Sequence, residues 1–309
     1  MNSSKTHILA AVTGVSTHLG YFRKGEHHLY GTRYIQIFTA LFFTFVILDV
    51  RFANQSFPCA FFEVSLVATF YFLGLYASLL VYRAFFHPLN KFPGPFGNKL
   101  GNLWFSVQLG NADAYKKVLH LHKRYGPFVR VGSSDLSIIH PKAVHVIYGT
   151  GTRCGRAAFY NGDPVPSLIS IRDRIAHDQR RRIWSPAFGD RALRDYAQRI
   201  KIYDDQLISR FDDASTSGKS LNVSKWFNYY SFDTMGDLAF GKSFDMLQTD
   251  QEHWAVGLLN SGLEALAFLF PIWLFRVLIS IPGLLKDHER IVEFCSEQLD
   301  KRIKVLIES

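Results

Sequence analysis

The apolar segment from Cys59 to Val81 constrains the fold of this chain more than any other feature. It contains one charged residue, Glu63 near its start, and Arg83 follows its end. A helix of about 20 apolar residues can cross the hydrocarbon core of a bilayer, and it satisfies its own backbone hydrogen bonds there. We therefore expect a transmembrane helix over about residues 59–82.

Two further apolar segments precede this helix. Residues 34–50 are rich in Phe and Ile, whereas residues 8–22 are shorter and are interrupted by His18. The shorter segment fits either a marginal span or the apolar region of a signal sequence, and both interpretations stay open. The sequence predicts a membrane anchor over residues 1–85 with two to three transmembrane helices, at about 8–22, 34–50 and 59–82.

Positive charges are distributed unevenly between the loops of this anchor. The 23–33 loop contains three Lys or Arg residues, the 49–58 loop contains one, and basic residues resume at Arg83. Because basic loops stay on the cytoplasmic side, we expect the 23–33 loop and everything after Arg83 to be cytoplasmic. Asn54 then lies in a lumenal loop, within an Asn-Gln-Ser sequon, and is a possible glycosylation site close to the bilayer.

Composition limits the partners of the chain. Its 309 residues carry a net charge of +9, which is compatible with anionic membranes or with nucleic acid. The sequence has no zinc-finger spacing, basic zipper or RNA-binding aromatic signature, so we expect no nucleic-acid partner. Cys59, Cys154 and Cys295 have no paired spacing, which argues against a disulfide framework. The sequence also predicts no metal ligand.

After the anchor, apolar periodicity and turn residues predict a mainly α-helical chain with a small β-sheet. The predicted elements are helices over 111–125 and 141–148, strands over 128–131 and 136–139, a loop over 149–170, a helix from a capping Asp190 to Phe211, a polar linker over 212–220, a helix from a capping Ser224 to Gly241, and a last helix over 287–309. Residues 262–285 are very apolar, but their charges and prolines favour two helix ends joined by a loop rather than a further span.

The most basic segment of the chain contains the candidate binding residues. From Arg172 to Arg194 there are seven arginines and three acids. If residues 175–184 are helical, His177 and Arg181 lie four apart and share one face. Two fixed donors framed by arginines suit a ligand with carboxylates or phosphates. Spacing alone also fits a solvated basic helix face, so the residues leave both interpretations open.

Four motifs give this segment a context. In chain order they are Phe92-Pro93-Gly94-Pro95, then Arg124-Tyr125-Gly126-Pro127-Phe128-Val129-Arg130-Val131-Gly132, then His177 and Arg181 followed by Trp184-Ser185-Pro186-Ala187-Phe188, then Phe232-Asp233-Thr234-Met235-Gly236-Asp237-Leu238-Ala239-Phe240-Gly241. In order and separation they resemble the cytochrome P-450 family, in particular its fungal membrane-bound members of secondary metabolism. The resemblance covers the chain from about residue 86 onwards.

The resemblance implies a fold and a function. Membrane helices would be followed, over residues 86–309, by the N-terminal part of the cytochrome P-450 fold, with His177 and Arg181 holding the haem propionates. Residues 156–171 and 263–281 would border the substrate pocket. The full enzyme would hydroxylate a lipophilic secondary metabolite, using O2 and electrons from an NADPH-dependent reductase. It would sit in the endoplasmic reticulum membrane with its globular part in the cytoplasm.

The family's haem-ligand loop, of the type Phe-x-x-Gly-x-Arg-x-Cys-x-Gly, does not occur in this sequence. Cys59 lies in a membrane segment, Cys295 lies within a helix, and Cys154 has the wrong spacing and precedes the propionate helix. We therefore expect an incomplete and inactive chain without an axial thiolate. A truncated gene model, a degenerate copy and a half-protein all remain open. The alternatives to an enzyme are a non-catalytic membrane-anchored relic and an unrelated polytopic membrane protein.

Overall fold

The structure is a computed structural model that describes residues 3–109, 113–149, 151–162, 167–266, 271–281, 283 and 286–308. It is mainly α-helical with one two-stranded sheet, which confirms the predicted fold class. The chain divides into two compact units. The anchor unit comprises Met1–Pro166 and Ala267–Pro282, and the second unit, called here the helical unit, comprises Ser167–Leu266 and Gly283–Ser309.

The elements follow in chain order. The helices are α1 (Ser3–Thr17), α2 (Gly31–Phe52), α3 (Phe57–Val81), α4 (Phe96–Leu100), α5 (Asn102–Val107), α6 (Ala114–Tyr125), α7 (Pro141–Tyr148), α8 (Arg174–Trp184), α9 (Asp190–Ser217), α10 (Val223–Phe240), α11 (Met246–Thr249), α12 (Trp254–Leu266), α13 (Ile272–Ile279) and α14 (Lys286–Glu308), and the strands are β1 (Phe128–Arg130) and β2 (Leu136–Ile138). Single π-helical turns, His18–Phe22 and Tyr82–Phe86, extend α1 and α3.

Two helices in the described part of the chain are long and apolar enough to cross a membrane. One is Gly31–Phe52, and the other is the helical stretch Phe57–Lys91, which begins with α3. They correspond to the predicted spans at 34–50 and 59–82. The third predicted span, 8–22, corresponds to α1 and its π-helical turn, and α1 itself has only 15 residues.

The helix α1 packs closely along α3. The rings of His7 and Phe70 stack at 4.7 Å, and further on His18 Nδ1 lies 2.8 Å from Ser78 Oγ. Because the residue numbers rise together, the two helices run parallel. A Cβ atom at Gly74 would overlap the backbone of Ala11, so this glycine permits the close approach.

Strands β1 and β2 form the hairpin that the sequence predicts, with Arg130 opposite Leu136. Arg130 is fully buried (0% exposed), and burial lowers its pKa. Its guanidinium donates hydrogen bonds to the carbonyl oxygens of Arg83, Lys99, Gly132 and Ser133 and to the side-chain oxygen of Asn90. Its backbone N–H donates to the Pro93 carbonyl at 2.8 Å. Arg130, through its side chain and its backbone N–H, thus joins the π-helical turn after α3, the Pro-rich segment and the hairpin.

In the helical unit, α9 and α10 pack around an apolar core. Its buried residues are Tyr203, Leu207, Trp226, Tyr229, Met246, Leu247 and Val256. Around this core, Arg199 forms a two-pronged ion pair with Asp237, at 2.6 and 3.1 Å, and also donates to the Asp237 carbonyl. The hydrogen bond to Asp237 raises the pKa of Arg199. The motif at 232–241 therefore contributes directly to the packing of α9 on α10.

Three predicted features of this unit are wrong. Asp190 does not cap α9, because Gly189 occupies the cap position and Asp190 is the first helical residue. The helix continues to Ser217, so residues 212–217 are helical rather than linker. The cap of α10 is Asn222, whose side chain accepts from the Lys225 N–H at 3.1 Å, and not Ser224. Asn222 and Ser224 are both good capping residues, and local sequence does not rank them.

The apolar region at 262–285 contains the end of α12 and the whole of α13, as predicted, while residues 267–270 lie outside the described residues. In the anchor unit, α13 packs on the start of α2. Thr32 Oγ1 lies 3.2 Å from Ser280 Oγ, and Arg276 donates to the Asn161 carbonyl at 2.6 Å.

Candidate functional site

The helix α8 carries the predicted site and begins with a well-formed cap. The carboxylate of Asp173 accepts a hydrogen bond from the Ala176 N–H at 2.7 Å, which satisfies one of the unpaired donors at the helix start. The helix ends at Trp184, and Ser185–Phe188 forms a single 3-10 turn with Pro186 in its first positions. Proline fixes this change of direction because it cannot donate to the preceding turn.

Three side chains of α8 share one face. His177 and Arg181 are four residues apart and Trp184 is seven from His177, which is close to two helical turns. His177 is 21% exposed and Trp184 is 56% exposed. Phe188 in the following turn is also exposed. The face therefore offers the guanidinium of Arg181 and the imidazole of His177 beside open aromatic surface.

The hydrogen bonding of this face leaves donors available. His177 Nδ1 lies 3.1 Å from an oxygen of Asp178, and because a carboxylate only accepts, Nδ1 carries the proton of this contact. Within the described residues, His177 Nε2 and the guanidinium of Arg181 have no hydrogen-bond partner. Arg182 differs, because its Nε donates to the Asp178 carbonyl at 3.4 Å. Of these two arginines, Arg181 is the one with its donors unused.

The side chains of this face fit one part of a haem, its two carboxylates. A guanidinium binds a carboxylate with two parallel hydrogen bonds, and the aromatic side chains beside it suit the edge of a flat apolar ring. The axial position is different, because no cysteine of the chain lies in a ligand-like loop. Cys59 lies in α3 and Cys154 in a loop where its N–H donates to Thr152 Oγ1. Cys295 lies on α14, where desolvation raises the pKa of its thiol and so disfavours a thiolate.

Other groups add little to this site. In the described ranges, no group of three or more His, Cys, Asp and Glu residues is arranged to hold a metal ion. The predicted pocket borders, 156–171 and 263–281, include residues 163–166 and 267–270, which lie outside the described part of the chain. Trp184 is named in the sequence analysis only as part of a motif and not as a site residue. Its separation of seven from His177 is the signal that places it beside the two donors.

Comparison with known proteins identifies the family to which the chain is similar. The family model described as cytochrome P450 matches residues 93–308. The tryprostatin B 6-hydroxylase of Aspergillus fumigatus is 46% identical over 301 residues, covering 95% of this chain and 54% of the relative. The cytochrome P450 monooxygenase notG' of Aspergillus versicolor is 45% identical over 307 residues, covering 99% and 56%. The cytochrome P450 monooxygenase lcsK of Purpureocillium lilacinum is 37% identical over 309 residues, covering 98% and 56%.

These relatives are fungal, and the chain spans about half the length of the curated relatives it matches. The family model covers most of the chain, including the Pro-rich segment from Pro93, the β-hairpin, α8 and the α9–α10 pair. The resemblance found from the four motifs is therefore confirmed, and membership of the family implies haem as cofactor. The chain belongs to the cytochrome P450 family.

Proposed function

We propose that this chain is the membrane-anchored N-terminal part of a haem-thiolate monooxygenase that hydroxylates a lipophilic secondary metabolite. The observation that carries the proposal is the face of α8, where the unused donors of Arg181 lie beside the imidazole of His177 and the exposed Trp184. Family membership and the hydroxylase and monooxygenase names of the relatives support it.

The role of the α8 face is to hold the edge of the cofactor. Haem, when bound, would supply the oxygen chemistry of this family. Arg181 would pair with one propionate through two hydrogen bonds, and His177 would face the same edge of the cofactor with Nε2. Asp178, bonded to Nδ1, would keep the imidazole ring oriented.

The proposed setting is the endoplasmic reticulum membrane. Residues 1–85 would form the anchor, with the 23–33 loop and the chain after Arg83 in the cytoplasm. Both lie at the same end of the anchor, since Arg23 stacks over the Tyr82 ring at 4.8 Å. An N-terminal anchor of this kind would keep the enzyme near lipophilic substrates and near a membrane-bound, NADPH-dependent reductase. Asn54, in the loop between α2 and α3, would then be on the lumenal side.

The experiment compares Arg181→Ala with the matched control Arg182→Ala in a full-length protein that contains this chain. Loss of a charge-assisted partner of a carboxylate costs about 1.5–3 kcal/mol, which corresponds to about a tenfold to hundredfold weaker haem retention. Haem content per protein after dialysis against apomyoglobin measures it. The control should keep its haem, because Arg182 already bonds to the helix backbone. Equal haem loss in both variants would remove the assignment of Arg181.

A second measurement concerns the 309-residue chain by itself. We expect its reduced, carbon-monoxide-treated form to lack the thiolate-type Soret band, since Cys59, Cys154 and Cys295 all lie outside ligand-like loops. A band of that type would show that one of these three cysteines is the ligand.

A further inference from the structure

The three anchor helices enclose a cleft that the proposed monooxygenase chemistry does not use. It has a volume of about 1050 Å³ and lies between α1 and α2, with α3 contributing its floor. Along most of its length the lining is apolar, including Leu9, Phe38, Val64 and Phe72. Its volume is at the upper end of the range for small-molecule sites, about 300–1,000 Å³. The cleft is thus large enough for a long apolar molecule.

One end of the cleft is polar and basic. His18, His27, Tyr34 and Arg83 line it there. His18 is fully buried, with Nδ1 on Ser78 Oγ at 2.8 Å, and its Nε2 has no partner among the described residues. A buried ring nitrogen left without a partner costs free energy, so it marks a position where a ligand oxygen would be stabilising.

The charge at this end is unbalanced. Arg83 donates to the Leu100 carbonyl at 2.7 Å, and the described residues give it no carboxylate partner. Arg23, near this end, stacks over the Tyr82 ring. The one acid between residues 18 and 34 is Glu26, which lies 4.0 Å from His28. A negative group seated between these cations would therefore be attracted.

A long apolar cleft that ends at the buried His18 and at Arg83, which has no carboxylate partner among the described residues, fits one class of ligand. We propose that the cleft binds a phospholipid with an anionic headgroup, with its phosphate at Arg83 and His18 and an acyl chain along α3. The inference rests on the anchoring proposed above, in which this end of the helices faces the cytoplasm. The cytoplasmic leaflet carries the anionic lipids that basic residues at a membrane surface attract.

The test uses the full 309-residue chain reconstituted in vesicles of phosphatidylcholine with a minor fraction of phosphatidylserine. After extraction in mild detergent, mass spectrometry counts the phospholipids retained per chain. We expect phosphatidylserine to be enriched over its share in the vesicle. Arg83→Gln should lower that enrichment about fivefold, the effect of one basic residue near a membrane surface. The matched control is Arg51→Gln, which removes a charge from the opposite end of α2 and outside the cleft.

A second variant guards against a folding effect of Arg83→Gln, since Arg83 also bonds to Leu100. Ala68→Phe fills the floor of the cleft and leaves that contact in place, and it should reduce total retained phospholipid. Retention of phosphatidylserine only in proportion to its share in the vesicle, or equal losses of enrichment in Arg83→Gln and Arg51→Gln, would overturn the inference. Carbonate washing of the same vesicles separates the two proposals. A chain released by carbonate overturns the anchoring and the lipid site together, whereas a retained chain without lipid selectivity overturns the lipid site alone.

Discussion

Replacing Asp233 by Ala should lower the free energy of unfolding of the helical unit by a large amount, although the substitution removes only one small side chain. Asp233 is 1% exposed, and its two carboxylate oxygens accept the N–H groups of Met246 at 3.1 Å and Leu247 at 2.8 Å. These N–H groups begin α11, where no preceding turn can accept them. Both residues are buried, so water cannot replace the carboxylate.

The cost follows from the number of donors left unpaired. A buried donor without a partner costs about 1–3 kcal/mol, so two cost about 2–6 kcal/mol in free energy of unfolding. That is a large share of the roughly 5–15 kcal/mol that stabilises a domain. Asp233→Asn keeps one acceptor and should lose about half as much. Urea unfolding of the purified chain in detergent, followed by tryptophan fluorescence, measures the change, and Trp226 in the core is one reporter.

Asp213→Ala is the matched control, because it removes the same side chain from an exposed position of α9. Surface substitutions of this kind change stability by about 0.5 kcal/mol or less. If Asp233→Ala falls within that range of the control, the carboxylate does not hold the start of α11, and the reasoning is refuted.

Three further predictions concern topology, helix packing and pH. In sealed microsomes, protease should remove an epitope at the C-terminus and spare one in the 49–58 loop, and the reverse pattern would contradict the orientation. Gly74→Leu should displace α1 and speed tryptic cleavage of the 23–33 loop in detergent, while Gly20→Leu, where a Cβ has open space, should not. Burial lowers the pKa of His253 from about 6.5, so the unfolded chain binds more protons. Stability should therefore fall as pH drops below about 6.5, and His253→Phe should weaken this dependence in urea titrations at several pH values.

The accuracy with which element boundaries can be predicted from the sequence depends on the glycines and prolines that end helices and strands. The hairpin and α7 are predicted within one residue, because Gly126, Pro127 and Pro141 mark their limits. The end of α9 is not, because the polar residues before Ser217 resemble a linker although they form the exposed side of a helix. Gly218, with φ +66°, ends that helix, but a lone glycine among serines gives little warning.

The candidate site is predictable to the extent that it lies on one helix. A separation of four residues is enough to place His177 and Arg181 on the same face, and the cap at Asp173 is a local signal of the same kind. The assignment of these two residues to haem propionates stays a proposal. The lipid cleft could not be predicted from the sequence, because its shape depends on the position of α1 along α3. The close contact between Gly74 and Ala11 fixes that position, and this contact is visible only in the folded structure.

Because Arg130 is buried and bonded on several sides, the Pro-rich segment is a rigid connection rather than a flexible linker. Its guanidinium joins the carbonyl of Arg83 after the end of α3, the side chain of Asn90 and the carbonyl of Ser133 beside the hairpin strands. With those groups held by one rigid fork, a change in the tilt of α3 is passed on to the hairpin. Helices adapt to bilayer thickness by tilting. In the proposed membrane anchor, the thickness of the bilayer would therefore set the orientation of the hairpin relative to the lipid surface.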